Sequence, residues 1–495
     1  MDSEGRSPAT KAPWCLLGIL LCVFLLYAPA LGRWVQGDDF FKYERSIRHG
    51  FEIFRGESFF FRPLENFVHA VNLFLVGPDS NLLSLAVSLA GLLISTCLLF
   101  AIARRIAPDL GGYPLLAAGY FAFHSSAVSS VIQIDTISQQ YATVFALAAL
   151  LWSISGPARG QAMRFAGLVL LWFLCLVSKE TSFGLVVASP LAVLFLKEIC
   201  PALERSSIRK LLLLGMSASL LALVLYFLAR SGSDANMTLD RITSMREGTR
   251  YRPSFDPIAL LKNALQLAAV TSYLGSSLDV FPGIRLPRLV LSSSMTLVAA
   301  AISLWGLLGL GSRRQDRPAE EPGSNLATLI ALLLLCGGAL VPTIAAGKLS
   351  ELYSYALLPF MALLLGYLLA LGWKRLSGSG IAWRAAAWIA VVLVAVWMAV
   401  GVKEKVELAV RLSDRSREIF VALERQIGQT SPGKQLTLCP ERDGTAGPEY
   451  SIFFRSDTAL AAQMLPYLSG RHAGRRIRME PTPDCTPLPV AARNW

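Results

Sequence analysis

Charged residues are scarce in this sequence, and that scarcity argues against an ordinary soluble protein. Only 16% of the 495 residues are Asp, Glu, Lys or Arg, while 54% are hydrophobic. Soluble domains average about a quarter charged residues. Long apolar runs recur from Cys15 to Val402, and many approach the ~17–20 residues that cross a bilayer as a helix. The sequence therefore predicts an all-α polytopic membrane protein.

Metal-binding and nucleic-acid-binding patterns are also missing. The chain has no CxxC motif, no Cys/His metal spacing and no DxD motif. Its net charge is +12, but the basic residues are not interleaved with aromatics as on a nucleic-acid strand site. They lie instead in short loops, as the cytoplasmic loops of membrane proteins do. We expect no nucleic-acid partner, no cofactor and metal independence, although the sequence does not exclude a divalent cation.

The apolar runs predict about eleven transmembrane helices. We expect the first run, 14–31, to be a retained span and not a cleaved signal peptide. The segment 258–281 is expected to be an amphipathic helix at the membrane interface. The predicted spans are 14–31, 82–103, 111–124, 139–155, 165–178, 182–196, 211–229, 288–310, 325–346, 355–372 and 383–402.

Orientation follows from the basic loops. The basic loops fall at every second connection between the predicted spans. If the N-terminus is cytoplasmic, all of these loops are therefore cytoplasmic and the C-terminus is outside. We expect the plasma (inner) membrane of a bacterium, with the C-terminus in the periplasm. The loops in question are Arg104-Arg105, Arg159–Arg164, Lys197–Lys210, Arg313–Arg317 and Lys374–Arg384.

The composition changes after Val402, which divides the chain into a membrane domain, 1–402, and a small exterior domain, 403–495. Residues 403–428 predict an amphipathic helix, and "KQLTLCP" and "YSIFFRS" predict short strands. The exterior domain is thus expected to be α/β. It contains Cys439 and Cys485, and an oxidising exterior would allow a disulfide between them.

Polar residues that chemistry can use converge on the exterior side. Ionisable residues at membrane depth are functional hypotheses because their burial is expensive. Taken singly, each also has a structural explanation, such as a solvated helix end or an ion pair in a turn. The candidates are Asp38 and Asp39 after the first span, Arg62 in "FFFRPLENF", His124 at the end of the third span, Lys179 and Glu180 after the fifth, and Lys348, Glu351 and Tyr353 in "GKLSELYSY".

The order of these motifs resembles the integral-membrane glycosyltransferases with the GT-C fold. More narrowly, it resembles the protein O-mannosyltransferase-type branch and its relatives with tetratricopeptide repeats. The matching stretches are the acidic pair Asp38-Asp39, Phe61-Arg62-Pro63-Leu64, His124-Ser125, Val177-Ser178-Lys179-Glu180 and Ser350–Tyr355. The chain departs from that pattern in lacking a proline after His124 and any tetratricopeptide repeats.

The resemblance implies transfer of a sugar from a polyprenyl-phosphate donor to a protein, lipid or glycan acceptor at the exterior face. It places the catalytic base on Asp38 or Asp39, since inversion at the anomeric carbon needs a base on the acceptor hydroxyl. The departing phosphate needs cations, and Lys179 and Arg62 rank first among candidates that also include Lys348 and the second-loop residues Arg241, Arg246, Arg250 and Arg252. Glu180 and Glu351 are expected to position cations or bind sugar hydroxyls. His124 and Tyr353 complete the expected substrate-binding set.

Three other classes remain to be distinguished. A transporter or flippase would show inverted repeats and ionisable residues at mid-span, but none is apparent here. A lipid-linked polysaccharide polymerase or ligase would place its large exterior loop late in the chain. A membrane scaffold would tolerate substitution of Asp38, Asp39, Arg62 and Lys179.

Overall fold

The computed structural model describes most of the membrane region and a small part of the C-terminal region. Its description covers 12–36, 39–54, 61–77, 80–155, 160–196, 208–233, 255–279, 285–308, 322–345, 353–376, 381–429, 435–438, 464–465, 467–468, 471–472 and 476–479.

Helices make up nearly all of this part of the chain. They are α1 (Ala12–Tyr27), α2 (Asp39–His49), α3 (Pro63–Leu75), α4 (Leu82–Ile106), α5 (Tyr113–Phe123), α6 (Ser126–Ile132), α7 (Ile137–Ile154), α8 (Gln161–Ser178), α9 (Phe183–Leu196), α10 (Ile208–Ser231), α11 (Pro257–Ser272), α12 (Leu286–Leu308), α13 (Pro322–Ile344), α14 (Ser354–Leu376) and α15 (Ile381–Gln429). Two short strands follow, β1 (Gln435–Leu438) and β2 (Arg476–Met479).

The apolar helices confirm a multi-pass membrane protein. Among the described residues, nine helices are long and apolar enough to cross a bilayer. The bent pair α5–α6, with an angle of 61°, and the shorter apolar helix Glu180–Leu196 account for the other two predicted spans. The predicted span 111–124 is thus part of a broken element. Its first helix ends where His124 adopts an extended backbone conformation, with φ −74° and ψ 124°.

Close packing between the spans depends on small residues. Helix α9 packs along α13, and α14 packs between α5 and α12. A Cβ atom on Gly184 would lie 2.1 Å from the carbonyl oxygen of Gly338, so the α9–α13 crossing requires glycine at position 184. Small residues at helix crossings are the usual device for tight packing in membranes.

Helix α11 matches the amphipathic helix expected within 258–281. Its N-terminus is capped by Asp256, whose carboxylate accepts hydrogen bonds from the backbone N–H groups of Ile258 and Ala259. Ile258, Leu261 and Leu265 are exposed on the protein. An exposed apolar face of this kind suits contact with lipid, and its position at the interface stays a prediction.

The last span continues past the expected domain boundary as one helix. Helix α15 runs for 49 residues without interruption, through the domain boundary expected at 402. The strand expected in "KQLTLCP" is present as β1, which pairs in parallel with β2. The stretch "YSIFFRS" and both Cys439 and Cys485 lie outside the described residues. The division into 1–402 and 403–495 stays a prediction.

Candidate active site

A buried ion pair anchors the segment that carries the acidic residues. The guanidinium of Arg33 donates to Asp39 Oδ2 at 3.0 Å, and both side chains are fully buried. Asp39 Oδ2 also accepts from the backbone N–H of Gln36 at 3.3 Å. Asp39 is the first residue of α2, where a carboxylate is favoured by the exposed N–H groups and the helix dipole.

The Arg33–Asp39 pair also forms hydrogen bonds with the turn between α6 and α7. Asp39 Oδ1 accepts from the backbone N–H of Ile134 at 3.0 Å. Arg33 also donates to the carbonyl oxygen of Ile132. Both oxygens of Asp39 are therefore engaged inside the protein. Asp38, its neighbour, lies outside the described residues.

A second group of charges lies on α2, α3 and the α8–α9 junction. Lys42 Nζ lies 2.7 Å from Glu65 Oε1, and Arg62 Nη1 lies 3.8 Å from Glu65 Oε2. Since Lys42 follows Asp39 by three residues on α2, the two lie on one face of that helix. The Arg33–Asp39 pair and the second group are thus connected through a single rigid element.

Local sequence explains how Arg62 and Glu180 meet. Pro63 occupies the first turn of α3, so the helix begins directly after Arg62. Helix α8 ends at Ser178, and Lys179 is extended, with φ −152° and ψ 126°. This break turns Glu180 toward Arg62, whose Nε lies 3.3 Å from Glu180 Oε2. Glu180 Oε1 also accepts from the backbone N–H of Phe61 at 3.1 Å.

Lys179 differs from the other cations of this group. Its side chain is buried, and no described residue forms a hydrogen bond or ion pair with its ammonium. Burial and the neighbouring charge of Arg62 lower its pKa from 10.5 to about 8, against the opposing pull of Glu180, Glu65 and Asp135. A buried cation that no described side chain pairs with directly is suited to an anionic ligand.

Burial and the neighbouring charges shift the pKa values of Glu65 and His69. Burial alone would raise the pKa of Glu65, but the charges of Lys42 and Arg62 lower it to about 2. Burial lowers the pKa of His69 from 6.5 to about 4, and Lys42 and Arg45 act in the same direction against Glu65. Glu65 is therefore ionised and His69 neutral near pH 7.

Not every predicted residue joins this arrangement. His124 lies at the α5–α6 break, where its Nδ1 is 2.7 Å from Ser126 Oγ. Within the described ranges, no contact links His124 to Arg62 or Lys179. Tyr353 is half-buried and packs against the main apolar core. Lys348 and Glu351 lie outside the described residues.

Sequence reasoning missed Arg33 and Lys42. Arg33 follows the first span directly, where an arginine is easily taken as an interfacial anchor. Lys42 shares a helix face with Asp39, but its partner Glu65 is on another helix. The three-residue spacing from Asp39 was the signal available for Lys42. No comparable local signal existed for the contact of Arg33 with the 132–134 turn.

Metal ligation has no obvious site in the part of the chain that is described. No group of three or more His, Cys, Asp or Glu side chains converges there as ligands would. The carboxylates Asp39, Glu65 and Glu180 each have a cationic partner instead. The residues brought together therefore suit an anion better than a divalent cation.

The fold is shared with known membrane proteins. The crystal structure of ArnT from Cupriavidus metallidurans bound to undecaprenyl phosphate matches 95% of this chain and 86% of its own, with TM-score 0.51 and 15% identity. Apo ArnT from the same organism matches 96% of this chain and 86% of its own, with TM-score 0.50 and 17% identity. The likeness to ArnT confirms the predicted GT-C fold.

An archaeal membrane protein of known structure is also similar to this chain. The archaeal oligosaccharyltransferase AglB from Archaeoglobus fulgidus covers 94% of this chain and 64% of its own, with TM-score 0.48 and 11% identity. No protein-family model matches this sequence, and no curated protein sequence matches it.

Proposed function

We propose that this protein is a glycosyltransferase that moves a sugar from a polyprenyl-phosphate donor to an acceptor hydroxyl at the exterior face of the membrane. Support comes from the GT-C fold and from the ArnT structure of the same fold, which has undecaprenyl phosphate bound. Further support comes from the buried charges at the exterior ends of the spans. The sugar, the carrier and the acceptor class stay open.

The observation that carries this proposal is the ammonium of Lys179 beside Arg62. A buried cation is costly unless an anion accompanies it. Glu180 and Glu65 already engage Arg62, whereas no described group forms a hydrogen bond or ion pair with the Lys179 ammonium. The phosphate of a lipid carrier supplies the missing charge, and it reaches the membrane surface from within the bilayer.

Asp38 is the base in this proposal, and Asp39 positions it. Asp39 is fully buried and hydrogen-bonded through both oxygens, so it has no free face for an acceptor. The Asp38 carboxylate removes the proton of the acceptor hydroxyl as that oxygen bonds to the anomeric carbon. The bond from the anomeric carbon to the phosphate oxygen breaks, and the electron pair leaves with the phosphate. The configuration at the anomeric carbon inverts.

Lys179 and Arg62 stabilise the negative charge that develops on the departing phosphate. Glu180 holds the Arg62 fork through its Nε and Nη2 atoms, both 3.3 Å from Oε2. Arg62 is therefore preorganised before the donor arrives. Binding roles for His124, Lys348, Glu351 and Tyr353 stay predictions, as does metal independence, which EDTA treatment of the active protein would test.

The orientation also belongs to the proposal. With the N-terminus in the cytoplasm, Asp39, Arg62 and Lys179 lie at exterior ends of spans, and Arg104 and Lys374 lie at cytoplasmic ends. The location expected is a bacterial inner membrane, with the C-terminus in the periplasm. Modification of single engineered cysteines at positions 104 and 411 by an impermeant reagent tests this, since only the second is expected to react in intact cells.

The experiment for the function uses the purified full-length chain in proteoliposomes. A panel of labelled sugars on polyprenyl phosphates is supplied with peptide, lipid and glycan acceptors. Transfer is measured together with release of free polyprenyl phosphate, and the anomeric configuration of the product is determined. We expect transfer with inversion from at least one donor. Absence of both transfer and phosphate release across the panel would contradict the proposal.

A further inference from the structure

The exterior half of α15 contacts the segment that leads into the acidic pair. Residues Arg33–Gln36 form neither helix nor strand, so their buried backbone groups need partners from elsewhere in the fold. Two serines of α15, Ser413 and Ser416, are fully buried against this segment. They lie some 380 residues farther along the chain.

The two hydroxyls supply the missing backbone partners. Ser413 Oγ accepts from the N–H of Trp34 and donates to the carbonyl oxygen of the same residue at 3.1 Å. Ser416 Oγ donates to the carbonyl oxygen of Val35 at 2.9 Å. A hydroxyl carries one donor and two acceptor positions, so Ser413 can serve both groups of Trp34. Three backbone groups next to Arg33 are thus bonded to one helix.

Aromatic contacts hold the segment on both sides of the acidic pair. Phe420 of α15 packs 5.5 Å from the Trp34 ring and 6.3 Å from the Phe40 ring, measured between centroids. The Arg417 guanidinium lies 5.8 Å from the Trp34 ring centroid. Tyr467, beyond α15, packs 5.6 Å from Phe40. Trp34 precedes Asp38 and Asp39, and Phe40 follows them.

The same helix contacts two other exterior segments. Lys405 Nζ is fully buried and donates to the carbonyl oxygen of Ser125 at 3.1 Å, directly after His124. Glu404 pairs with Arg285 at 3.5 Å and with Arg288. Because α15 is one continuous helix, it sets the distances between these segments. Through its contacts with both, α15 fixes the position of residues 33–36 relative to the α5–α6 break.

We propose that the exterior half of α15 positions the segment Arg33–Gln36, and with it Asp39, for sugar transfer, with Ser413 and Ser416 as the positioning residues. The inference rests on the proposed function for its catalytic consequence. It gives the region after 402 a role in the reaction in addition to any role in recruiting an acceptor. Ser413 and Ser416 act through the backbone of Trp34 and Val35, then through Arg33, on Asp39.

A purely structural role for the two serines makes different predictions. If they served only to stabilise the fold, their loss would reduce the amount of folded protein but leave the turnover of each folded molecule unchanged. A positioning role lowers kcat while the donor KM stays the same, since the donor binds at other residues. It also loosens the backbone around Trp34, which amide hydrogen exchange reports without any need for activity.

The test compares wild type with Ser413→Ala, Ser416→Ala and the double variant in the full-length protein. Asp414→Ala is the matched control, because Asp414 is exposed on the same turn of α15. Amide exchange is followed by mass spectrometry in a peptide containing Trp34 and Val35. Phe420→Leu, which keeps an apolar side chain, replaces the double variant should that variant fail to fold.

For the double variant we expect exchange in that peptide to be about tenfold faster. We expect kcat to fall about 10- to 100-fold, as for misplacement of a catalytic group by a fraction of an ångström to an ångström. The donor KM should stay within about twofold, and Asp414→Ala should match wild type in both measurements.

Two results would overturn the positioning role. One is unchanged exchange around Trp34 in every folded serine or Phe420 variant. The other is faster exchange with unchanged kcat, which would make the contact structural only. Failure of the wild-type protein to transfer sugar from any donor would contradict the proposed function and, with it, the catalytic part of this inference. The exchange data would still decide whether α15 holds the segment.

Discussion

The guanidinium of Arg33 and the carboxylate of Asp39 form a salt bridge of 3.0 Å in which neither side chain is exposed. Arg33 directly follows the helical turn that extends the first span, and Asp39 is the first residue of α2. The pair therefore ties the segment that follows the first span to the start of α2. Of the two adjacent acidic residues, Asp39 is fully buried in this ion pair, and Asp38 is the one that we propose as the catalytic base.

Removing one partner of this pair should be strongly destabilising. Arg33→Met leaves the Asp39 carboxylate buried without its counter-charge, and we expect the free energy of unfolding to fall by about 3–5 kcal/mol. The measurement is unfolding of the detergent-solubilised protein by a denaturing detergent. Arg33→Met combined with Asp39→Leu should recover part of the loss, because no unpaired charge then remains. Equal losses in the single and double variants would contradict the ion-pair explanation.

Transfer should decline in alkaline solution as Lys179 loses its proton. Burial and Arg62 lower the pKa of Lys179 to about 8, so the cationic form that binds phosphate predominates below pH 8 and is lost above it. We expect kcat/KM for the donor to fall with a midpoint near pH 8 in the free enzyme. Lys179→Arg keeps its charge at all these pH values and should remove that decline.

The control for Lys179 is Lys403→Arg, at an exposed position of α15 paired with Glu407. Its pH profile should coincide with that of wild type. An alkaline decline that persists unchanged in Lys179→Arg would assign the titration to another group and weaken the phosphate-binding role of Lys179.

His69 should make the fold sensitive to mild acid. Burial lowers its pKa to about 4 in the folded protein, against 6.5 as its ordinary value. As pH falls from 6.5 toward 4, the unfolded chain gains a proton that the folded chain does not take up, so stability is lost over that window. The loss is about 3 kcal/mol for a difference of this size.

A variant isolates this effect. His69→Gln has no titrating group, so its stability should vary less between pH 6.5 and pH 4 than that of wild type, whatever its stability at pH 7. The measurement is unfolding in detergent across this pH range. His49→Gln is the matched control, because that histidine is partly exposed on α2. Parallel curves for wild type and His69→Gln would show that His69 is not held neutral.

Much of the membrane architecture could be predicted because bilayer thickness dictates the length of an apolar run. Helix α4 is an example, predicted at 82–103 and found at Leu82–Ile106. The end of the third span at His124 was predicted, but the bent continuation into α6 was not, since composition carries no signal for a bend within an apolar stretch. The continuity of α15 through residue 402 was also missed. The composition changes at this residue and suggested a boundary, but the helical backbone continues.

Site residues could be predicted only where they belong to short sequence motifs. Arg62 and Glu180 were both chosen from their motifs, and they form an ion pair. Lys42 and Arg33 depend on contacts with Glu65 and with the 132–134 turn, which only the packed helices bring together. The serines of α15 are a stronger case, because a Ser hydroxyl bonded to a distant backbone leaves no pattern in the sequence.

The central claim is tested most directly by sugar transfer from a polyprenyl-phosphate donor, with wild type compared with Asp38→Asn and Asp39→Asn in membranes containing equal amounts of folded protein. We predict that Asp38→Asn keeps wild-type stability and loses transfer by about 100- to 10,000-fold. Asp39→Asn should lower stability together with transfer, since it disrupts the pair with Arg33. Transfer at the wild-type rate by Asp38→Asn would contradict the account.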